Sequence, residues 1–243
     1  MTVKVIFAGA TGKTGSELAR GLIREPEIAL VGAVSRRAAG RDLGEVLGLG
    51  PRGIPVRADL GSLLGEVEAE VLLDFTSPEV AGQHALLAVR HGLRPVVGTT
   101  GIPQEELTML EAECERRGLG AVVIPNFSFG AMLLHRFARE AVRFFPRLEI
   151  VEKHHEKKKD APSGTALRLA RSLEAAGIGS IPIHSVRLPG HVAHHEVIFG
   201  GEGEVLTLRH DTISRTSFLP GVLLALRRVG ELRGVVYDLS DLL

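Results

Sequence analysis

Val3-Lys4-Val5-Ile6-Phe7-Ala8-Gly9-Ala10-Thr11-Gly12-Lys13-Thr14-Gly15 is the stretch that decides the fold. The β-branched run Val3 to Ala8 reads as a strand that ends in a glycine cluster, and the following Ser16 to Arg24 carries apolar residues at helical spacing. A second apolar run, Ile28 to Val34, begins about twenty residues after the first glycine, the length of one βαβ unit. Strand, glycine turn, helix and strand are the opening of a Rossmann half, in which the loop amides and the helix dipole face a pyrophosphate. The spacing is G-x-x-G-x-x-G and not the strict G-x-G-x-x-G, so an ordinary tight turn is the competing reading. A phosphate-cradling ATPase loop would need glycine where the chain has Phe7, which sets that reading aside.

Outward from this loop the pattern continues as β and α in alternation. Val71 to Phe75 is predicted as a strand, Pro78 to His91 as a helix, Pro95 to Val97 as a strand, Pro103 to Arg117 as a helix and Ala121 to Ile124 as a strand. Such alternation implies an α/β, Rossmann-type, doubly wound parallel sheet. Arg36 to Arg57, rich in Gly and Arg and without a period, is expected to be a long loop with one short helix. From Ser128 the character changes. A helix to Phe145, a strand near Leu148 to His155, a helix from Ser163 and two β-rich runs, Val192 to Phe199 and Val205 to Ile213, follow in turn. The Gly200-Gly201-Glu202-Gly203 turn joins those runs as a hairpin, which points to a second, α+β, mixed-sheet domain. A helix from Phe218 to Val229 and a short strand at Val235-Val236 would return to the first domain. The expected division is 1–127 plus 216–243 for dinucleotide binding and 128–215 for substrate binding and oligomerisation.

Composition narrows the function classes. The chain has 243 residues, with 29 Lys+Arg against 29 Asp+Glu, so no whole-molecule attraction draws it to nucleic acid or to an anionic membrane. Its one cysteine, Cys114, rules out an internal disulfide, thiolate zinc ribbons and iron-sulfur clusters. The absence of tryptophan leaves stacking platforms for bases poorly supplied. No apolar run approaches the roughly 18 residues of a membrane span, and a reducing, cytoplasmic setting is the expectation.

Candidate binding residues lie where a dinucleotide sheet binds its ligand. After the second strand stands Ser35-Arg36-Arg37, with two guanidiniums and no carboxylate for a ribose hydroxyl, which argues for a 2′-phosphate and hence NADP over NAD. Gly98-Thr99-Thr100-Gly101 and Pro125-Asn126-Phe127-Ser128 sit just past strand ends, although each could be a plain turn and helix cap.

The densest chemistry is Glu149-Ile150-Val151-Glu152-Lys153-His154-His155-Glu156-Lys157-Lys158-Lys159-Asp160-Ala161-Pro162-Ser163-Gly164-Thr165-Ala166. Ser163 is a plausible N-cap, and the amides of Gly164 and Thr165 would then form an anion site beside Lys158, within reach of an imidazole. A solvated basic turn before a normally capped helix is the plainer reading. No metal is expected: the zincin H-E-x-x-H fails because Lys159 stands at the second histidine position, and adjacent His154 and His155 would face opposite sides of a strand. Pro162 before Ser163 excludes a G-x-S-x-G elbow. The later pair, His194-His195, has the same facing problem and is read as structural.

The run from Glu149 to Ala166, with its E-x-x-E-x-H-H core, a lysine four residues after the first histidine and D-A-P-S-G-T-A, closely resembles the signature of the 4-hydroxy-tetrahydrodipicolinate (dihydrodipicolinate) reductase family of lysine biosynthesis. The glycine loop, Gly98 to Gly101, Asn126 to Ser128 and the late hairpin fall in the family's order, so the likeness spans essentially the whole chain. The resemblance implies a nucleotide domain and a substrate domain that close over NAD(P)H and a cyclic dicarboxylate. It implies His154 as proton donor/acceptor, Lys158 as proton donor, and His155, Gly164 and Thr165, beside the Ser163 cap, as substrate contacts. It implies cofactor contacts at Gly9, Ala10, Thr11, Gly12, Lys13 and Thr14, at Arg36 and Arg37, at Gly98, Thr99 and Thr100, and at Ile124, Pro125, Asn126 and Phe127. A homotetramer joined through the substrate-domain sheets is likewise implied. Two departures bear on the cofactor. Lys13-Thr14 replaces the common Arg-Met, and Arg36 occupies a place that is acidic in many members, which tilts the expectation toward NADPH with NADH possible. Two rivals share the glycine loop: a nicotinamide-sensing binding protein, and a related reductase for another small carbonyl or imine. Neither requires a lysine and a helix-start anion site at this spacing.

Overall fold

The strand β1 (Val3–Ala8) lies at the centre of a parallel sheet, between β2 (Ile28–Val34) and β4 (Val71–Asp74). Its last four residues, Val5 to Ala8, are completely buried, which is why the run is continuously apolar and does not alternate. The computed structural model describes residues 2–243. Two short elements, α2 (Leu43–Val46) and β3 (Val56–Arg57), precede β4, and the sheet is completed by β5 (Arg94–Val97), β6 (Gly120–Val123) and β11 (Gly234–Val236). The strand order is β11-β6-β5-β4-β1-β2-β3, and the order reverses between β1 and β4. That reversal opens a crevice at the carboxyl ends of the strands, the place where doubly wound sheets bind ligands.

The helices of this unit carry their own start and stop signals. α1 (Lys13–Leu22) begins at the glycine loop, and α3 (Leu60–Leu64) is capped by the Asp59 carboxylate, which accepts from the Ser62 amide. α4 (Pro78–Arg90) starts with Pro at its first position. α5 (Gln104–Arg117) has Glu105 and Glu106 in its first turn and Arg116 and Arg117 in its last, complementing the helix dipole, and stops at Gly118 with φ +65°. Cys114 is buried with Leu110, Ala85 and Val97 in the core that α4 and α5 share. The segment Arg36 to Arg57, expected to be a loop with one short helix, contains a 3-10 turn (Arg36–Ala38), α2 and the two-residue β3. It holds its shape through one side chain, Asp42, which accepts from the amides of Glu45, Arg52 and Ile54. A fold made by one carboxylate has no period to read.

The chain divides into two compact units, one running to Phe127 and resuming over Phe218–Leu243, the other Ser128–Ser217. α8 (Leu219–Arg228) and β11 belong to the first, where β11 pairs with β6. The second unit is a mixed sheet in the order β10-β9-β7-β8, built from β7 (Arg147–His154), β8 (Ile183–Arg187), β9 (Ala193–Gly201) and β10 (Glu204–Thr212). β7 runs parallel to β8 and antiparallel to β9, and β9 and β10 form the expected hairpin. The helices α6 (Phe129–Ala141) and α7 (Gly164–Leu173) supply Leu134, Ala138, Leu169 and Leu173 to a core with Ile150, Val197 and Phe199 of the sheet. The architecture is thus a Rossmann-type parallel sheet plus an α+β unit. β8 was not anticipated: Ile183-His184-Ser185-Val186-Arg187 has little apolar signal, and only Ile183 packs against the core. No helix among the described residues is long and apolar enough to cross a membrane.

Candidate active site

In the first unit the candidate residues gather at the carboxyl ends of β1, β2, β4, β5 and β6. Gly9 has φ +87°, and a Cβ there would stand 2.5 Å from the Phe75 carbonyl oxygen; one at Gly15 would stand 1.9 Å from the carbonyl oxygen of Gly9. Gly15 is therefore required by the backbone of the turn itself, and Gly9 by its positive φ and the close approach of the backbone after β4. The Gly12 amide closes the turn onto the Gly9 carbonyl at 3.0 Å, and the first intrahelical bond runs from Ser16 to Gly12. The amides of Lys13, Thr14 and Gly15 consequently have no partner within α1 and face outward with the positive end of its dipole. This donor set fits a pyrophosphate. Thr11 and Ser35 join the loop to the end of β2 through a 2.7 Å hydroxyl contact. Just beyond, Arg36 and Arg37 are exposed on the 3-10 turn and form no ion pair among the described residues. Two unneutralised guanidiniums at this place fit an added phosphate.

Thr14, Phe75, Thr76, Ser77, Pro78, Gly98, Thr99 and Thr100 line a cavity of about 260 Å³ beside the glycine loop. Its walls are tied together underneath by Asp74, the fully buried last residue of β4. The Asp74 carboxylate accepts from the Thr76 amide (2.9 Å) and hydroxyl (2.6 Å), from His84 Nδ1 (2.8 Å) and, at 3.4 Å, from the Thr99 hydroxyl. Of the remaining candidates, Ala10 and Ile124 are buried, while Pro125 and Asn126 are partly exposed. Phe127 is wholly buried with its ring 5.7 Å from that of Phe75, so it can offer a ligand only its backbone.

In the second unit the alternation of β7 places Leu148, Ile150, Glu152 and His154 on the face covered by the helices. His155 follows the strand end and is only partly buried, so the two adjacent histidines do occupy different settings. Glu152 has no exposed surface. Its carboxylate accepts from His154 Nδ1 at 2.5 Å, from the Ser163 amide at 3.2 Å, and from both terminal nitrogens of Arg187 at 2.6 and 2.9 Å. Burial alone would raise the Glu152 pKa; hydrogen bonds from Arg187, Ser185 and His154 outweigh it and hold the group at about 2. His154 moves below its ordinary value, first through burial, with Lys158 and Arg187 adding to the shift and Glu152 opposing it.

Ser163 caps α7 as expected, its hydroxyl oxygen accepting from the Ala166 amide at 3.3 Å. With its own amide on Glu152 and its hydroxyl also 3.3 Å from His195 Nε2, Ser163 is buried and fully engaged. The unengaged donors of the helix start are those of Gly164 and Thr165, and Gly164 borders open space. Lys158 Nζ lies 2.7 and 2.8 Å from the two oxygens of Asp160. A buried imidazole, a lysine and a helix start thus lie close along one short segment, a constellation able to bind carboxylate and to give or take a proton. Among the described residues no group of three or more His, Cys, Asp or Glu could hold a metal.

Family models match both parts of the chain: "Dihydrodipicolinate reductase, N-terminus" over residues 3–127 and "Dihydrodipicolinate reductase, C-terminus" over residues 130–243. The chain belongs to the dihydrodipicolinate reductase family. Among curated members of this family, the 4-hydroxy-tetrahydrodipicolinate reductase of Moorella thermoacetica is 49% identical, covering 100% of this chain and 98% of its own. That of Symbiobacterium thermophilum is 48% identical over 98% of this chain and 96% of its own. A solved dihydrodipicolinate reductase from Paenisporosarcina sp. TG-14, with dipicolinate bound, superimposes with a TM-score of 0.85 at 36% identity over 100% of both chains. An amine dehydrogenase from Mycobacterium smegmatis, with a TM-score of 0.72 at 14% identity, shares the fold alone. As a member of the dihydrodipicolinate reductase family, the protein is a pyridine-nucleotide-dependent reductase with a Rossmann-type nucleotide fold.

The structure adds residues that the sequence reading did not single out. Arg187 comes from the unforeseen β8, where it pairs in register with His154. His195, read as structural, is 4% exposed, contacts Ser163 and packs edge-on against His154 with ring centroids 5.5 Å apart. Burial, reinforced by His154, brings its pKa down to about 4. A signal for it existed: His195 is in phase with Val197 and Phe199, both of which face the core.

Proposed function

We propose that the protein reduces 4-hydroxy-tetrahydrodipicolinate to tetrahydrodipicolinate with NAD(P)H, NADPH being preferred, in the biosynthesis of diaminopimelate and lysine. The overall conversion removes one water and adds one hydride and one proton. The observation that carries this reading is His154, a buried and oriented imidazole in the segment that also holds Lys158 and the open start of α7. Gly164 and Thr165 donate their amides to a substrate carboxylate, Lys158 and His155 supply positive or hydrogen-bonding character around it, and Ser163 holds the helix start in place. His154 or Lys158 gives the proton to the ring carbon that becomes electron-rich. A bound reduced nicotinamide supplies the hydride. Gly9, Ala10, Thr11, Gly12, Lys13 and Thr14 hold its pyrophosphate, Arg36 and Arg37 grip the 2′-phosphate, and Gly98 to Thr100 with Ile124 to Phe127 complete its site. The same reading takes the Ser128–Ser217 unit as the substrate and oligomerisation domain of a cytoplasmic homotetramer.

The decisive assay follows oxidation of NADPH and of NADH while substrate is generated from pyruvate and aspartate semialdehyde by an excess of the preceding synthase. Rapid oxidation that depends on the synthase is the expected result, faster with NADPH at low cofactor concentration. Tight cofactor binding without oxidation would move the reading to a nicotinamide sensor.

A further inference from the structure

Glu152 makes no contact that suggests substrate binding, yet it is the most heavily engaged buried carboxylate of the second unit. Its partners converge from separate elements: His154 from its own strand, Arg187 from β8, and Ser163 from the start of α7. A carboxylate can only accept, so at 2.5 Å the proton on that contact belongs to His154 Nδ1. In neutral His154 the Nε2 atom then carries the lone pair. Nε2 has no hydrogen-bond partner among the described residues, and the His154 side chain retains 9% of its surface open. Arg187 is not a simple counter-ion. Its fork spans both Glu152 oxygens, and Nη2 donates as well to the Asp160 carbonyl at 2.7 Å, which anchors the turn that carries Lys158.

We propose that Glu152 and Arg187 act as a pair of positioning residues for the proton transfer: Glu152 fixes His154 in the Nδ1–H tautomer with Nε2 as the exchanging atom, and Arg187 keeps Glu152 an acceptor. The proposal rests on His154 being the proton donor and deepens that reading. The balance of the step is simple. Protonated His154 gives the Nε2 proton to the substrate carbon and is left neutral, while its Nδ1–H bond to Glu152 stays intact and no proton passes to the carboxylate. The charged and titratable groups around His154 are Glu152 on β7, Arg187 on β8, His195 on β9, and Lys158 with Asp160 on the turn before α7. Of these, Glu152 favours the imidazolium, whereas Arg187 and Lys158 oppose it. Removal of either member of the pair must therefore move the titration of His154 in opposite directions.

The test compares kcat against pH for the wild type, Glu152→Gln, Arg187→Met and His154→Gln, with the synthase in excess at every pH. Glu152→Gln should lower kcat by about 10- to 100-fold, a fraction of the 10²- to 10⁴-fold loss of a general acid itself, with KM for the dicarboxylate changed less than about threefold. Its alkaline limb should move to lower pH. Arg187→Met should move the same limb to higher pH, and Arg187→Lys should return it toward the wild-type position. A role in folding alone would reduce activity without moving the limb in opposite directions. Limbs that stay fixed or move the same way in both variants, while His154→Gln is severely impaired, would overturn the proposal and leave the reductase reading standing. Normal kcat in His154→Gln would instead remove the proton-donor reading itself. A second measurement needs only the folded wild type: ¹⁵N spectra of histidine-labelled protein, with His154 assigned by its loss in His154→Gln. Above the pKa of His154 they should show the Nδ1–H tautomer, and an Nε2–H tautomer would overturn the proposal even if Glu152→Gln failed to fold.

Discussion

Asp74 and Glu152 are both fully buried carboxylates near the ends of strands, one in each unit, and the molecule handles them differently. Asp74 is satisfied by an amide, two hydroxyls and His84, all within the turn after β4 or on elements beside it. Glu152 is satisfied by a guanidinium fork, an imidazole and an amide drawn from three elements. The first arrangement shapes a cavity wall with an amide, hydroxyls and a histidine, and no arginine. The second sets full charges against one another beside His154, the proposed proton donor. Shape can be held by dipoles. Tuning an imidazole takes burial and charges together, because both distinguish between its two protonation states.

The largest expected effect separates the units by what they contribute. His154→Gln, and separately Lys158→Ala, should lower kcat by about 10² to 10⁴, the usual loss of a positioned general acid. Normal kcat in both variants would place the chemistry elsewhere. The next comparison is of stability. Glu152→Ala leaves the partly buried Arg187 fork without its carboxylate and should cost about 3 kcal/mol, the low end for a broken buried ion pair. Asp74→Ala strands smaller, neutral donors and His84, for which about 1 to 3 kcal/mol is expected. Urea titration of both variants measures the pair, and equal losses would mean that charge is not what distinguishes the two carboxylates.

Acid should sharpen the contrast further. His195 has a folded pKa of about 4, below its unfolded value, so the unfolded chain binds more protons over this range. Its contribution is therefore present above about pH 6.5 and is lost as pH falls toward the folded value. Glu152, held at about 2, adds a loss that begins only below the ordinary carboxylate range near pH 4.3. Thermal melts from pH 7 to 4 should fall for the wild type and flatten in His195→Phe, and an unchanged slope in that variant would show that His195 is not the group responsible. The smallest effect belongs to the first unit. Arg36→Glu should weaken NADPH binding by about tenfold and NADH much less, the worth of roughly one charge-assisted contact, with kcat preserved. Equal losses for the two cofactors would remove the 2′-phosphate assignment.

Much of the first unit was legible because its signals are local. Gly9 is needed by its positive φ and Gly15 by the backbone of the same turn, and Val71 to Leu73 is apolar throughout because both faces of the sheet are covered. The His154 to Thr165 segment was legible for the same reason, since capping by Ser163 acts over three residues. What escaped lies at long range. Glu152 and Arg187 are 35 positions apart, and Ser163 and His195 are 32 apart. Neither Arg187 in a weakly apolar strand nor His195 beside a second histidine announces a partner at that distance.

The sequence by itself determined the doubly wound sheet, the glycine loop at its edge, the change of architecture after Phe127 and the clustering of His154, Lys158 and a capped helix start. Each follows from periodicity, backbone sterics or hydrogen bonds that span a few residues, and these forces act wherever such residues stand. Only the tertiary structure decided that β8 runs beside β7, that Arg187 therefore meets Glu152, and that His195 packs against His154. Strand pairing selects which distant residues become neighbours, and burial then removes the water that would otherwise screen their charges. Proximity and low local dielectric are properties of the folded chain, and they turn an ordinary glutamate in the signature into the anchor of an imidazole.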